Sequence, residues 1–257
     1  MSRIANTFKN GNKAFIGFVV TGDPGITQTA EFILEMESAG ADIIEIGIPF
    51  SDPVAEGPVI EAANIRALSK GTTVHDVFDL VVSVRRKSEI PLVLLTYLNP
   101  VFHYGYEKFF SKCKETGVDG IIVPDLPFEE CREVADITEK YGIDLISLIT
   151  PTSKERIKMI SEGAKGFLYF VSSMGTTGVR EEVETNVKPV IDSVRASSDI
   201  PVAVGFGISR NEQAKALSQY ADGVIVGSAI VDIIANHGEK AGKHLYEYVK
   251  NIKNAMN

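Results

Sequence analysis

The sequence Gly40-Ala-Asp-Ile-Ile-Glu45 joins the end of a predicted helix to a predicted strand, and the same unit returns three times along the chain. It recurs as Gly-Val-Asp-Gly-Ile-Ile at 117–122, more loosely as Gly-Ala-Lys-Gly-Phe-Leu at 163–168, and as Ala-Asp-Gly-Val-Ile at 221–225. Repetition of such strand-helix units favours a closed barrel over a doubly wound open sheet.

Short apolar runs alternate with amphipathic segments along the whole chain. The predicted strands are 15–20, 42–48, 92–97, 120–123, 145–149, 167–171, 202–205 and 223–226. Helical patterns, with apolar residues three and four positions apart, include 27–38, 74–87, 107–115, 129–141 and 211–219. This alternation implies a parallel sheet. We predict one α/β TIM-barrel domain over residues 1–257, with an extra N-terminal helix and a helical insertion after the second strand.

Composition limits the classes of function. The 257 residues are 44% hydrophobic and 23% charged, which suits a large buried core. A net charge of -8 argues against binding to nucleic acid, which needs clustered Lys and Arg. The N-terminus lacks the apolar region of a signal peptide, and the apolar stretch 14–20 is too short to span a bilayer. We therefore expect a cytoplasmic protein that does not bind membranes.

The cysteines and histidines show no metal-binding pattern. Cys113 and Cys131 are isolated from each other, and the four histidines form no pair with the spacing of metal ligands on a helix. We expect no metal and no disulfide framework.

Glu45 is the unusual residue of the second predicted strand. Alternation places Ile43, Glu45 and Gly47 on the barrel side and the neighbouring isoleucines under the helices. A carboxylate among β-branched residues is costly to bury unless it is paired, hydrogen-bonded or protonated. Such surroundings raise the pKa of Glu45 and suit a proton donor. A core carboxylate satisfied by backbone donors remains the alternative.

Glycine-rich turns follow the last three predicted strands. They are Gly175-Thr-Thr-Gly178, Gly205-Phe-Gly-Ile-Ser209 and Val226-Gly-Ser-Ala229. Backbone N–H groups exposed by glycine at a helix N-terminus bind phosphate, and barrels often place that site after strands seven and eight. The turns predict a small phosphorylated substrate, although glycine is also ordinary turn chemistry.

Motifs over nearly the whole chain resemble the alpha subunit of tryptophan synthase. They are the segment 45–58, Thr21-Gly-Asp-Pro24, Tyr97-Leu-Asn-Pro100, Val123-Pro-Asp-Leu-Pro127, the turns 175–178 and 205–209, and Gly227-Ser-Ala-Ile230. The resemblance implies a barrel lyase that cleaves indole-3-glycerol phosphate to indole and glyceraldehyde 3-phosphate. It also implies an alpha2beta2 heterotetramer, in which the partner beta subunit joins indole to serine with pyridoxal phosphate, and no cofactor in this chain.

The resemblance also implies roles for single residues. Glu45 matches the catalytic glutamate, and Tyr169 matches a tyrosine that lines the site. Positions around the indole ring are matched by Phe18, Leu95, Ile122 and Leu148, and the phosphate site is matched by Gly178, Gly207, Gly227 and Ser228. The loop 172–182 resembles a mobile lid that carries Thr177. The beta-subunit interface is matched by Asp52, Pro53 and Asn99. From the residues alone, core packing is an equal alternative for the apolar positions, and interface, loop cap and catalysis all remain open for Asp52.

Glu56 departs from the family pattern. The second catalytic carboxylate is usually aspartate in a Pro-Phe-Ser-Asp-Pro-x-Ala-Asp-Gly-Pro context, whereas this chain has Glu56 at the matching position. The extra methylene changes the reach of the carboxylate, but we predict that Glu56 still serves as the base. The competing interpretation is a weakened subunit that mainly activates beta.

Two further functions remain open at this point. One is another phosphate-binding barrel enzyme, such as an isomerase or a stand-alone indole-releasing lyase. The other is a non-catalytic regulatory subunit, which only Glu56 suggests.

Overall fold

The computed structural model describes residues 2–153, 156–172, 183–205 and 207–256. Within them, nine strand segments form one parallel sheet in the order β5-β4-β3-β2-β1-β9-β8-β7-β6. Their bounds are β1 Ala14–Val20, β2 Ile43–Gly47, β3 Leu92–Leu95, β4 Gly120–Ile122, β5 Asp144–Leu145, β6 Ser147–Ile149, β7 Leu168–Val171, β8 Val202–Gly205 and β9 Gly223–Val226.

The sheet closes because one stretch of chain belongs to both of its edges. Segment β5 pairs with β4, and β6 pairs with β7. Only Ile146 separates β5 from β6, and its N–H donates to the carbonyl of Ile121 at 2.9 Å. The predicted fifth strand, 145–149, is therefore two segments that face opposite neighbours. The predicted barrel is confirmed, while the domain limits 1–257 stay a prediction.

Helices surround the sheet. Their bounds are α1 Arg3–Thr7, α2 Ile26–Ser38, α3 Pro58–Ser69, α4 Val74–Arg85, α5 Leu98–Tyr104, α6 Tyr106–Thr116, α7 Arg132–Tyr141, α8 Ile157–Gly163, α9 Lys188–Arg195, α10 Asn211–Ser218, α11 Ser228–His237 and α12 Ala241–Met256. Helix α1 is the predicted N-terminal helix, and α3 with α4 forms the insertion after the second strand. Helix α7 begins three residues later than predicted, because a separate short turn spans Phe128–Glu130.

Alternation along β2 divides the apolar residues between two layers. Ile44 and Ile46 pack in the layer between the sheet and the helices. Ile43 belongs to a second cluster inside the barrel, which also contains Ile4 from α1. Helix α1 therefore packs against the interior cluster, at the end of the barrel where the strands begin.

Asp119 fixes α1 to this end. Its carboxylate accepts hydrogen bonds from Arg3 at 3.0 Å, from Arg85 at 2.6 Å and from the backbone N–H of Leu92 at 2.9 Å. The carboxylate is buried, so these donors offset the cost of removing it from water. Asp119, the residue before β4, thereby joins helices α1 and α4 to strand β3.

Two glycine substitutions test the packing beneath α1, one at a close contact with Ile4 and one as a control elsewhere. A Cβ at Gly120 would lie 2.9 Å from Ile4 Cδ1 and 3.0 Å from the backbone oxygen of Asp144. We expect Gly120→Ala to lower the free energy of unfolding by about 1–3 kcal/mol through overpacking. At Gly163, a Cβ would meet nothing within 4 Å among the residues that the structure describes, so Gly163→Ala is the matched control and should be neutral or stabilising. Urea unfolding measures both, and equal effects would contradict this account.

Candidate active site

A cavity of about 400 Å³ opens at the carboxyl ends of the strands. It lies where parallel barrels assemble their active sites. The lining includes Phe18 from β1, Glu45 from β2, Leu95 from β3 and Tyr169 from β7. The loop after β2 adds Ala55, Glu56 and Gly57, and the turns after β8 and β9 add Gly207, Gly227 and Ser228. The fold thus brings both predicted catalytic carboxylates into one cavity with three of the four predicted phosphate residues.

Glu45 is a buried acid without a complete set of partners. In the sheet register it pairs with Phe18 of β1 and Val93 of β3, and it is 1% exposed. Its Oε1 has no hydrogen-bond partner among the described residues. Burial raises the pKa of Glu45 from 4.5 to about 8. The carboxyl group is therefore protonated at neutral pH and can donate a proton into the cavity.

Tyr169 lies near Glu45 and lines the same cavity at the barrel mouth. Burial, and then the nearby Glu45 carboxylate, raises the pKa of Tyr169 well above its ordinary value. The hydroxyl lies against Gly205, where a Cβ would be 2.7 Å from its oxygen. The phenol therefore keeps its proton, and the glycine gives it room at the end of β8.

Glu56 has different surroundings from Glu45. The side-chain amide of Asn64 donates to its Oε2 at 2.5 Å, from the second turn of α3. On balance the pKa of Glu56 is raised: burial raises it most, the hydrogen bonds from Asn64 and Tyr97 oppose that shift, and the charge of Glu61 adds to it. Donors thus support the ionised form of Glu56, whereas Glu45 has none at Oε1. Two carboxyl groups in such unlike surroundings can take opposite roles in proton transfer.

The turns after β8 and β9 present backbone to the cavity. Gly207 has φ +76°, a conformation that other residues rarely adopt. Helix α11 begins at Ser228, and its first N–H groups have no partner within the helix. Ser228 and Ala229 both line the cavity, so these donors are available to an anion. Asp232, one turn further along α11, also lines the cavity and places a negative group near this end.

The predicted indole residues fall into two groups. Phe18 and Leu95 line the cavity. Ile122 is buried in the interior cluster, and Leu148 packs against that cluster and lines a separate cavity of about 190 Å³. Thr177 and Gly178, with most of the proposed lid, lie outside the described residues. The indole, phosphate and lid assignments stay predictions.

The predicted interface residues are at the surface. Asp52 and Asn99 are exposed and Pro53 is partly exposed. Tyr97 joins their two loops, since its hydroxyl accepts the N–H of Ala55 at 3.1 Å and its ring lies 5.3 Å from that of Phe50.

Two apolar side chains close in sequence to the predicted interface residues are open to solvent. Val54 is 78% exposed and Phe102, on α5, is 67% exposed. Exposed apolar residues beside the predicted interface are what a docking surface requires.

Sequence reasoning missed Asp232, which lines the cavity, and Asn64 and Tyr97, which contact the loop after β2. Helical spacing offered a signal for Asp232 alone. It is four residues after Ser228, which was predicted for the phosphate site, and residues four apart share a helix face.

Metal and membrane features are not found in the part of the chain that the structure describes. No group of three His, Cys, Asp or Glu side chains could hold a metal ion there. No helix in the same residues is long and apolar enough to cross a bilayer.

Comparison with known proteins agrees with this geometry. The family model of the tryptophan synthase alpha chain matches residues 4–257. The tryptophan synthase alpha chain of Caldanaerobacter subterraneus subsp. tengcongensis is 50% identical over 98% of this chain and 96% of its own length. That of Lacticaseibacillus casei is 46% identical over 100% of this chain and 96% of its own length.

Solved structures agree as well. The alpha subunit from Legionella pneumophila superposes with a TM-score of 0.91 at 36% identity, over 100% of this chain and 98% of that one. A chain of the tryptophan synthase a2b2 complex from Pyrococcus furiosus gives 0.87 at 39% identity, over 95% and 98%. This protein belongs to the tryptophan synthase alpha chain family.

Proposed function

We propose that the cavity binds indole-3-glycerol phosphate and cleaves it to indole and glyceraldehyde 3-phosphate, with Glu45 and Glu56 as the proton-transfer groups. One observation carries the assignment of roles. Glu45 is a fully buried acid whose Oε1 has no partner in the described part of the chain, and it shares its cavity with a second carboxylate that is supported by hydrogen-bond donors. Membership of the alpha chain family supports the substrate and the reaction.

The reaction needs two proton transfers. The bond between the indole ring carbon and the glycerol phosphate side chain breaks, and the ring carbon takes up a proton as the side chain leaves. A base accepts the proton of the adjacent side-chain hydroxyl or of the indole nitrogen. Protonated Glu45 is the donor, and ionised Glu56 is the base. Tyr169 orients the Glu45 carboxyl group or the substrate.

The remaining lining suits the two ends of this substrate. Phe18 and Leu95 offer apolar surface to a neutral aromatic ring. Gly207, Gly227 and Ser228 offer backbone N–H groups to the phosphate. Thr177, Gly178, Ile122 and Leu148 keep the roles that the family resemblance implies.

A tryptophan synthase beta subunit is the proposed partner, in an alpha2beta2 heterotetramer that makes L-tryptophan. The loops with Asp52, Pro53 and Asn99 form its docking surface, next to exposed Val54 and Phe102. Pyridoxal phosphate belongs to the beta subunit, and this chain uses no cofactor. A cytoplasmic location is part of the proposal.

The measurement that tests the function is indole release from indole-3-glycerol phosphate by the purified chain, alone and with the beta subunit from the same source. We expect slow release that rises strongly with the partner. No indole in either case, with the beta reaction still accelerated, would favour the regulatory subunit. No effect in both assays would contradict both assignments.

Glu45→Gln tests the proton donor. We expect kcat to fall by about 10²–10⁴-fold, the usual contribution of a positioned acid. In the wild type, proton donation needs the protonated group, so kcat/KM should fall as the pH rises through about 8. Steady-state indole release between pH 6 and 10 gives both results. Retained activity in Glu45→Gln would exclude the donor role.

The same substitution tests the cost of burying Glu45. Its pKa is 4.5 when exposed and about 8 in the fold, so folding takes up a proton between these values. Stability is therefore lost as the pH rises from about 4.5 to 8, by on the order of a few kcal/mol at about 1.4 kcal/mol per unit. We expect Glu45→Gln to be more stable than the wild type at pH 9 and to lose that advantage at pH 5. Thermal unfolding at the two pH values checks this, and a pH-independent difference would contradict it.

Glu56→Asp tests whether the longer carboxylate works. The shorter side chain withdraws from Asn64 and Tyr97, and an offset near 1 Å can cost about a hundredfold in rate. We expect turnover to stay equal or to fall. A large gain in indole release would instead identify Glu56 as an impairment and support the activator interpretation.

A further inference from the structure

Asn64 is a polar residue in an apolar part of α3. Its side chain is 3% exposed. Its neighbours on the helix, Ala63 and Ala67, are fully buried and pack with Phe18 and Val20. An asparagine in a helix interior lowers helix stability, and a buried amide without partners costs more. The amide donates to the Glu56 carboxylate at 2.5 Å, so it is satisfied by a residue that lines the cavity.

Helix α3 is a rigid support for this contact. Arg66, two residues after Asn64, makes a bidentate ion pair with Asp23 through hydrogen bonds of 2.9 and 2.7 Å. Asp23 is buried at the loop after β1. The pair fixes α3 against the first strand, so Asn64 projects from a position set by the barrel itself.

Glu56 is held less firmly by its own backbone. It lies in the loop before α3 and has one more rotatable bond than the aspartate that is usual at this position. Tyr97 holds the preceding residue, since its hydroxyl accepts the Ala55 N–H at 3.1 Å. That contact fixes the loop, while the hydrogen bond from Asn64 fixes the end of the Glu56 side chain.

We infer that Asn64 is a positioning residue for the reaction, whose amide holds the longer Glu56 carboxylate where it accepts a proton from the substrate. This inference rests on the proposed role of Glu56 as base. It gives a reason why a glutamate works here: the extra methylene carries the carboxylate to a donor on α3, and that donor removes the freedom that the methylene adds.

The charges around Glu56 make this donor important. The described residues that line the cavity include the acidic Asp232 and no Lys or Arg. Glu61 adds a further negative charge that raises the pKa of Glu56. Asn64 and Tyr97 are the groups whose hydrogen bonds lower it. Removing the Asn64 donor should therefore move the protonation of Glu56 to higher pH.

The test uses Asn64→Leu, which keeps the size of the side chain, and Asn64→Asp, which keeps its shape. Indole release by the complex with the beta subunit is measured between pH 5 and 9. For both variants we expect kcat to fall about tenfold with KM within about twofold, and the acidic limb of kcat/KM to move to higher pH. The shift should be larger for Asn64→Asp, which places a second carboxylate against Glu56. Glu61→Gln is the control on the same helix, and its acidic limb should move to lower pH or stay in place.

Combination with Glu56→Gln separates positioning from a structural role. If Asn64 acts through Glu56, Asn64→Leu causes no further loss once Glu56 is a glutamine. An equal loss in both backgrounds, or an unchanged pH profile in Asn64→Leu and Asn64→Asp, would overturn the inference. If Asn64→Leu fails to fold, Asn64→Asp alone decides through its pH profile. If Glu56→Gln itself releases indole at the wild-type rate, the proposed base is wrong and the failure does not concern Asn64.

Discussion

Closure of the barrel depends on the backbone hydrogen bonds of a six-residue stretch, 144–149. Its first part bonds to β4, its last part bonds to β7, and Ile146 passes between them. Because this stretch bonds to both β4 and β7, it joins the two ends of the sheet, and the parallel strands all direct their carboxyl ends to one mouth. The site exists because this closure gathers residues from β1, β2, β3 and β7 around one cavity.

The barrel also gives the two carboxyl groups of the cavity different electrostatic surroundings. Glu45 projects from a strand into the interior, where no donor among the described residues reaches its Oε1. Glu56 projects from a loop, which can place it beside Asn64. The proposed roles of acid and base fall to one residue type within one cavity, because a strand and a loop give it different access to donors.

Local pattern predicted most of the fold. Alternation along 42–48 correctly divided Ile43 from Ile44 and Ile46, since side-chain direction in a strand depends on adjacent residues alone. The split of 145–149 was not predictable in this way, because it depends on which neighbours pair with each half. Glu45 stood out because burying a carboxylate is costly. Asn64 and Tyr97 were missed because their importance comes from contacts with Glu56 and Ala55, which only the folded chain brings near.

Attachment of α1 to the strand-entry end of the barrel sets an order of assembly. Ser2 bonds to Asp144, Arg3 bonds to Asp119, and Ile4 lies beside Gly120 and Gly166. The first of these pairs is separated by 142 positions. Helix α1 thus has only part of its binding site until the chain has been synthesised past Asp144. Helix α1 can therefore dock fully only after strands β4 and β5 have been synthesised and have folded.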